Sequence, residues 1–208
     1  IAYENGTFSV AGTDRGVDLS QVAATAFQKP KLPPDIEPGL YEHGEFGSDQ
    51  GGTYPNGCHL AEVEIDAETG RVRLLRYACV DDAGTVLNPL LLEGQIHGGI
   101  VQGAGQALME DINYDPESGQ LLSGSFLDYA MPRADDFCHF KLATNAVPTE
   151  RNPLGVKGVG EAGTVGALPS VMNAINDALF RIGAPGIEMP ATSEKLWRAI
   201  RGAEKPRD

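Results

Sequence analysis

Residues Asn88–Glu110 read NPLLLEGQIHGGIVQGAGQALME. Asn88 is a good N-cap and Pro89 suits a first helical position, because a proline there gives up only an N–H that has no helical partner anyway. The apolar run that follows predicts a helix to about Glu110. Yet Gly94, Gly98, Gly99, Gly103 and Gly105 all fall inside it, and each costs a helix roughly 1 kcal/mol relative to alanine. A helix with that handicap needs a compensating contact, in which bare backbone lies against a neighbour or a ligand. Gln95, Gln102 and Gln106 share one face, with Gly98 and Gly99 between them. One reading is a glycine-rich helix–helix contact with internally satisfied glutamines. The other is a surface whose amides present donors and acceptors to a flat heterocycle.

A second stretch also departs from local rules. Asn152–Gly166 reads NPLGVKGVGEAGTVG, five glycines around a single acid, Glu161. So many glycines predict a loop lying against something, with N–H groups free to face an anion. Glu161 sits shortly before a predicted helix that opens at Pro169. Its carboxylate is either a favourable partner of a helix dipole or a general base on rigid backbone, raised toward working pH by a desolvated pocket. Gly158-x-Gly160-x-x-Gly163 matches a dinucleotide loop. However, Pro153 and Gly155 argue against a core strand just upstream, and the acid expected about 20 residues on is missing, since Asp177 lies within a helix.

Outward from these segments, the chain alternates hairpins with separate helices. Thr7–Val10 predicts a short strand, Gly12 a turn and Leu19–Phe27 a helix. Pro30, Pro33, Pro34 and Pro38 then predict an extended connector. His59–Asp66 places Ala61, Val63 and Ile65 on one face and acids on the other, a half-buried strand. The Ala67–Gly70 turn joins it to a strand over Arg71–Val80, with Asp81 and Asp82 read as turn residues. Further strands are expected near Asn113, at Ser123–Tyr129 and at Phe140–Ala146. The helix from Pro169 carries a stripe of Val171, Ile175, Leu179 and Ile182 and stops at Gly183. A last helix spans Ser193–Ile200, with Trp197 assigned to the core. The expected class is α+β, with mixed sheets, hairpins and separate helices.

The chain's 208 residues suffice for a sizeable core. Its formal net charge of −13 lacks the basic footprint of a nucleic-acid binder. No apolar run approaches the roughly 20 residues of a membrane span, and the first ten residues do not resemble a signal peptide. Cys58, Cys79 and Cys138 are widely spaced without a CxxC pair, so they read as buried thiols of a reducing compartment, not as disulfide, zinc or iron–sulfur ligands. His43, His59, His97 and His139 lack ligand-like spacing and read as structural, so no metal ligand set is expected.

Taken together, EGQIHGGIVQGAGQAL (Glu93–Leu108), NPLGVKGVGEAGTVGALPSVMNAI (Asn152–Ile175), SGSFLDYAMPRADD (Ser123–Asp136) and VDDAGTVLNP (Val80–Pro89) resemble the molybdenum hydroxylases. This is the family of xanthine dehydrogenase, aldehyde oxidase and aerobic carbon monoxide dehydrogenase. The likeness covers about Phe46 to Ile200 and is strongest to the C-terminal part of the carbon monoxide dehydrogenase large subunit. It implies a molybdopterin-binding domain over 46–202, a preceding segment 1–45 continuing from an upstream domain, and a charged tail, 203–208. It implies a molybdenum-pyranopterin cofactor, usually the cytosine dinucleotide, without a protein ligand to the metal, and hydroxylation of a small-molecule carbon centre (or oxidation of carbon monoxide) by water-derived oxygen. In this resemblance Glu161 falls on the base and Gln95 on a pterin-contacting glutamine, while Lys157, Gly158 and Gly160 match the loop that shapes the site. The expected partners are the remaining molybdenum-subunit domain and subunits carrying iron–sulfur clusters and FAD, all in the cytoplasm. Family large subunits are several times longer, so this chain by itself is expected to be inactive. The alternatives are a non-catalytic binding or assembly domain of the same fold, or an NAD(P)-binding dehydrogenase domain.

Overall fold

A computed structural model describes residues 1–47 and 51–203. The chain forms two compact units, Ile1–Gly47 and Ser48–Asp208. In the first, β1 (Ala2–Glu4), β2 (Thr7–Ser9) and β3 (Gly16–Asp18) form an antiparallel meander followed by helix α1 (Leu19–Ala26). The β1–β2 turn is Asn5-Gly6, both at positive φ, as a two-residue hairpin matched to strand twist requires. The sequence reading missed β1, although Asn-Gly is the strongest short-range hairpin signal.

The second unit is built on the predicted hairpin. β4 (Asn56–Ile65) pairs antiparallel with β5 (Val72–Asp82), and β6 (Phe140–Thr144) adds parallel to β5. The Asp66 carboxylate closes the turn by accepting the Glu68 N–H at 2.8 Å. The register shifts between Glu62 and Val63, leaving Leu75 as an extra residue on β5. This bulge lets Leu74 and Tyr77, three apart in sequence, both point inward, where they are buried with Cys79.

Helix α2 (Pro89–Leu108) lies in the crossover from β5 to β6, with the Asn88 side chain accepting the Leu91 N–H as its cap. Helices α3 (Ala162–Arg181) and α4 (Ser193–Ala203) complete the unit. Ile96, Ile100 and Ala104 of α2, Val171, Ile175 and Leu179 of α3, and Leu196 and Ile200 of α4 pack with Leu74, Tyr77 and Phe140 into one core. The class is α+β with a mixed sheet, as expected.

Several expectations are corrected. Helix α3 begins at Ala162, and Pro169 lies inside it instead of opening it. The interior proline costs about 3 kcal/mol, which close packing of the preceding two turns against α2 offsets. Gly163 and Gly166 are therefore helical residues, not loop. The strand expected near Asn113 is a single bridge between Tyr114 and Leu121, and Ser123–Tyr129 is a turn with Phe126 and Leu127 exposed. No partner strand is available there among the described residues to satisfy a ladder. Trp197 is 41% exposed, because Leu196 and Ile200 take the inward face of α4. Of the cysteines only Cys79 is fully buried, while Cys58 is exposed and Cys138 intermediate.

Four of the five glycines of α2 resolve into two groups, while a Cβ on Gly105 would meet Glu110 Oε1 at 2.5 Å. A Cβ on Gly99 would come within 3.0 Å of the Gly163 Cα, and one on Gly103 within 2.7 Å of the Thr164 carbonyl oxygen. A Cβ on Gly163 would meet the Ile96 carbonyl oxygen at 2.6 Å. Here two helix backbones touch, as the helix–helix reading supposed. Gly94 and Gly98 instead face open space. Gly163→Ala should therefore destabilise the chain by about 1–3 kcal/mol through overpacking. Gly98→Ala should stabilise it by up to about 1 kcal/mol through helix propensity. Opposite shifts of the denaturation midpoint are the expected result, and a stabilised Gly163→Ala chain would disprove the close seam.

Candidate active site

The glycine-rich loop is stitched to the end of β5. Asn152 closes it locally, donating from Nδ2 to the Val156 carbonyl at 2.8 Å and accepting the Val156 N–H at 3.1 Å. The Lys157 N–H donates to the Ala83 carbonyl at 2.9 Å, and the Thr85 N–H to the Gly155 carbonyl at 2.9 Å. Val156 forms an isolated antiparallel bridge with Gly84, so no parallel core strand leads into the glycines and a dinucleotide loop is again disfavoured.

The strongest stitch is ionic. Lys157 Nζ lies 2.5 Å from Asp82 Oδ2, with the two side chains only 10% and 6% exposed. Asp82 Oδ1 also accepts the N–H groups of Gly84 at 2.9 Å and Val147 at 3.0 Å. The Lys157 hydrogen bond, followed by these two N–H groups, holds the Asp82 carboxyl down to about 2. Asp81 and Asp82, read as turn residues, are thus the buried last residues of β5. The Lys157 ammonium is committed to Asp82, and Lys157 does not line the cavity described below.

Beyond Lys157 the backbone runs bare. The Gly158 N–H donates to Thr53 Oγ1 at 3.2 Å. A Cβ on Gly158 would meet nothing within 4 Å, and one on Gly160 only Gln95 Nε2, at 3.9 Å. Gln95 is exposed on α2 between the open Gly94 and Gly98, and its amide makes no hydrogen bond among the described residues. Gln102 differs, accepting from the Thr164 hydroxyl at 3.4 Å. Gln95 therefore lies near Gly160, although it does not line the cavity described below.

Glu161 is the next residue and the N-cap of α3, but its carboxylate makes no capping bond. It is exposed, so the described residues do not bury it. With Gly158, Gly160, Val165 and Gly166 it lines a cavity of about 520 Å³ whose opposite wall is β-hairpin, including Gly57, His59 and Asp81.

His59 and Asp81 were missed as site residues. His59 Nε2 lies 3.1 Å from Asp81 Oδ1, and Nδ1 lies 2.6 Å from the Tyr77 hydroxyl. Burial pushes the Tyr77 phenol up to about 12, so it stays protonated. The signal for His59 was parity, since it alternates in phase with Ala61, Val63 and Ile65, the buried face. His97, by contrast, is structural as read, with Nδ1 on the Glu93 carbonyl at 2.9 Å and its ring stacked on Phe140.

An open strip of glycine backbone, an unpaired amide and a free carboxylate suit a flat, polar-edged cofactor that reacts beside a base, so the residues present fit a pyranopterin. Comparison with known proteins points the same way. A family model described as a molybdopterin cofactor-binding domain matches residues 1–138. The nicotine 6-hydroxylase large subunit of Paenarthrobacter nicotinovorans is 40% identical over 204 residues, 97% of this chain and 25% of that protein. The carbon monoxide dehydrogenase large chain of Hydrogenophaga pseudoflava is 34% identical, again over 97% of this chain and 25% of that one. Quinoline 2-oxidoreductase from Pseudomonas putida 86 superposes with a TM-score of 0.80 at 34% identity, covering 99% of this chain and 26% of that one. The chain thus spans about a quarter of the length of these relatives, and it belongs to the molybdopterin cofactor-binding domain family.

Proposed function

We propose that this chain supplies the C-terminal part of the molybdenum-cofactor large subunit of a molybdenum hydroxylase. The observation that carries the reading is the proximity of the unpaired Gln95 amide to the bare Gly160 backbone, one residue from the uncommitted carboxylate of Glu161. Gln95 and the N–H groups of Val159 and Gly160 would hold the polar edge of a molybdenum-pyranopterin, in its cytosine dinucleotide form. When bound, that cofactor supplies a two-electron acceptor for oxidation of a carbon centre. Glu161 accepts the proton of the water whose oxygen enters the substrate. The α3 backbone fixes where that carboxylate starts, and the Lys157–Asp82 pair fixes the loop leading to it.

The remaining molybdenum-subunit domain would close the cavity over Glu161 and exclude bulk water from it. Electrons would leave through iron–sulfur and FAD subunits, in the cytoplasm. The described residues include no helix long and apolar enough to cross a membrane. The names of the relatives, nicotine 6-hydroxylase, quinoline 2-oxidoreductase and carbon monoxide dehydrogenase, support an electron-poor carbon as the substrate class.

Metal analysis of the complex purified from its native source tests this. Stoichiometric molybdenum is expected, whereas bound NAD(P) without molybdenum would replace the reading with a dehydrogenase. Gln95→Ala should lower molybdenum occupancy, since an unpaired pterin edge loses roughly 1–3 kcal/mol. Unchanged molybdenum content and turnover in that variant would return Gln95 to a structural role.

A further inference from the structure

The buried face of the β4–β5 hairpin gathers three donor groups that the proposed chemistry leaves unused. His59 on β4 stands directly opposite Cys79 on β5, and Asp81 follows two residues later on the same face. An imidazole nitrogen, the Cys79 sulfur and an Asp81 carboxylate oxygen all lie within 4.8 Å of one another. Asp81 is 3% exposed, and its Oδ2 is buried without any hydrogen-bond partner. A buried carboxylate oxygen with no donor is costly and rare in a folded protein. Glycines let the backbone close tightly on this group. A Cβ on Gly57 would fall 2.0 Å from Asp81 Oδ1, and one on Gly166 2.5 Å from the His59 ring.

We propose that His59 Nε2, Cys79 Sγ and an Asp81 carboxylate oxygen bind a zinc-class divalent cation, with its fourth position facing the cavity that His59 and Asp81 line. Tetrahedral zinc, with nitrogen and oxygen at about 2.0–2.2 Å and sulfur at about 2.3 Å, needs its ligands roughly 3.3–3.7 Å apart. Small rotations within the present spacing reach that. A mixed N, S and O set selects zinc over magnesium or calcium, which require oxygen ligands. Thiolate and carboxylate together neutralise the ion's two charges, and the ion gives Asp81 Oδ2 the partner it lacks.

The surroundings are those of a supported ligand. His59 Nδ1 is held by the Tyr77 hydroxyl at 2.6 Å, which itself accepts from the Ser170 hydroxyl at 3.3 Å. With metal bound, such an outer bond would hold the ring with Nδ1 protonated, and Nε2 would exchange its 3.1 Å contact with Asp81 Oδ1 for the ion. Coordination would exchange the Cys79 thiol proton for the cation and release that proton to water. Three protein ligands and one open position are the pattern of zinc sites that hold water or substrate.

The test uses the intact complex containing this chain, with zinc and cobalt(II) as probes. Elemental analysis after gel filtration should find one equivalent of zinc per chain, whatever the molybdenum content. Cobalt(II) in its place should give a thiolate charge-transfer absorption that is lost in Cys79→Ser and kept in Cys58→Ser, the exposed thiol on the same hairpin. Tyr77→Phe should weaken zinc binding by about 10–100-fold. If Cys79→Ser fails to fold by circular dichroism, Asp81→Asn takes its place, with loss of zinc expected. Absence of stoichiometric zinc, or a cobalt absorption that survives in folded Cys79→Ser, overturns the site. A molybdenum-replete, zinc-free complex overturns it while leaving the hydroxylase reading intact.

Discussion

Glu161→Gln should remove most turnover while leaving folding and molybdenum content unchanged. The carboxylate makes no capping bond and no ion pair among the described residues, so nothing in the fold depends on its charge. Glutamine keeps the shape and the N-cap backbone of α3 but cannot accept the proton of the attacking water. Loss of a general base costs about 10²–10⁴ in rate, and more where the base also orients the oxygen. The measurement is the rate of substrate-driven cofactor reduction per molybdenum atom, compared between variant and parent. Retention of about a tenth of the parental rate, far above what loss of a base leaves, would show that Glu161 is not the base. Loss of molybdenum instead would make it part of the binding surface.

Lys157→Met should cost about 3–5 kcal/mol of stability, the penalty for leaving one partner of a buried ion pair uncompensated. Methionine keeps much of the lysine stem's volume, so the loss reports the charge and its hydrogen bond. A loss below about 1 kcal/mol would class the pair with exposed ones. The pair also sets an acid limit. The Asp82 carboxyl stands at about 2 in the folded chain against an ordinary 3.8, so the folded state binds this proton less readily than the unfolded one. Its contribution is complete above the ordinary value and lost as pH falls from there toward 2. Denaturation midpoints across that interval should fall less steeply in Lys157→Met than in the parent.

The hairpin and α2 were legible in sequence because their signals are local, in the alternation of Ala61, Val63 and Ile65 and the Asn88-Pro89 cap. The start of α3 was not, because only its contact with α2 makes helix out of residues preceding Pro169. The two glycine-rich segments marked Gln95 and Glu161 separately, but their approach spans 66 residues and needed the fold. Asp81 and Asp82 were misread for the same reason, since the partners that bury them, His59 and Lys157, lie 22 and 75 residues away. Phe126 and Leu127 misled in the opposite sense, as apolar residues without a described surface to cover.

The glycine seam between α2 and α3 also bears on the order in which the molecule opens. Five glycines leave α2 too weak to persist as an isolated helix, so it is ordered only while α3 is docked. Local fluctuations that free one helix must melt the other, making the pair one cooperative opening unit. In hydrogen exchange, the central amides of α2 and α3 should share a single opening free energy, despite standing more than fifty residues apart in the chain. Gln95 and Glu161 would then be lost and regained in the same event, so that a molecule with half of this site assembled is never appreciably populated.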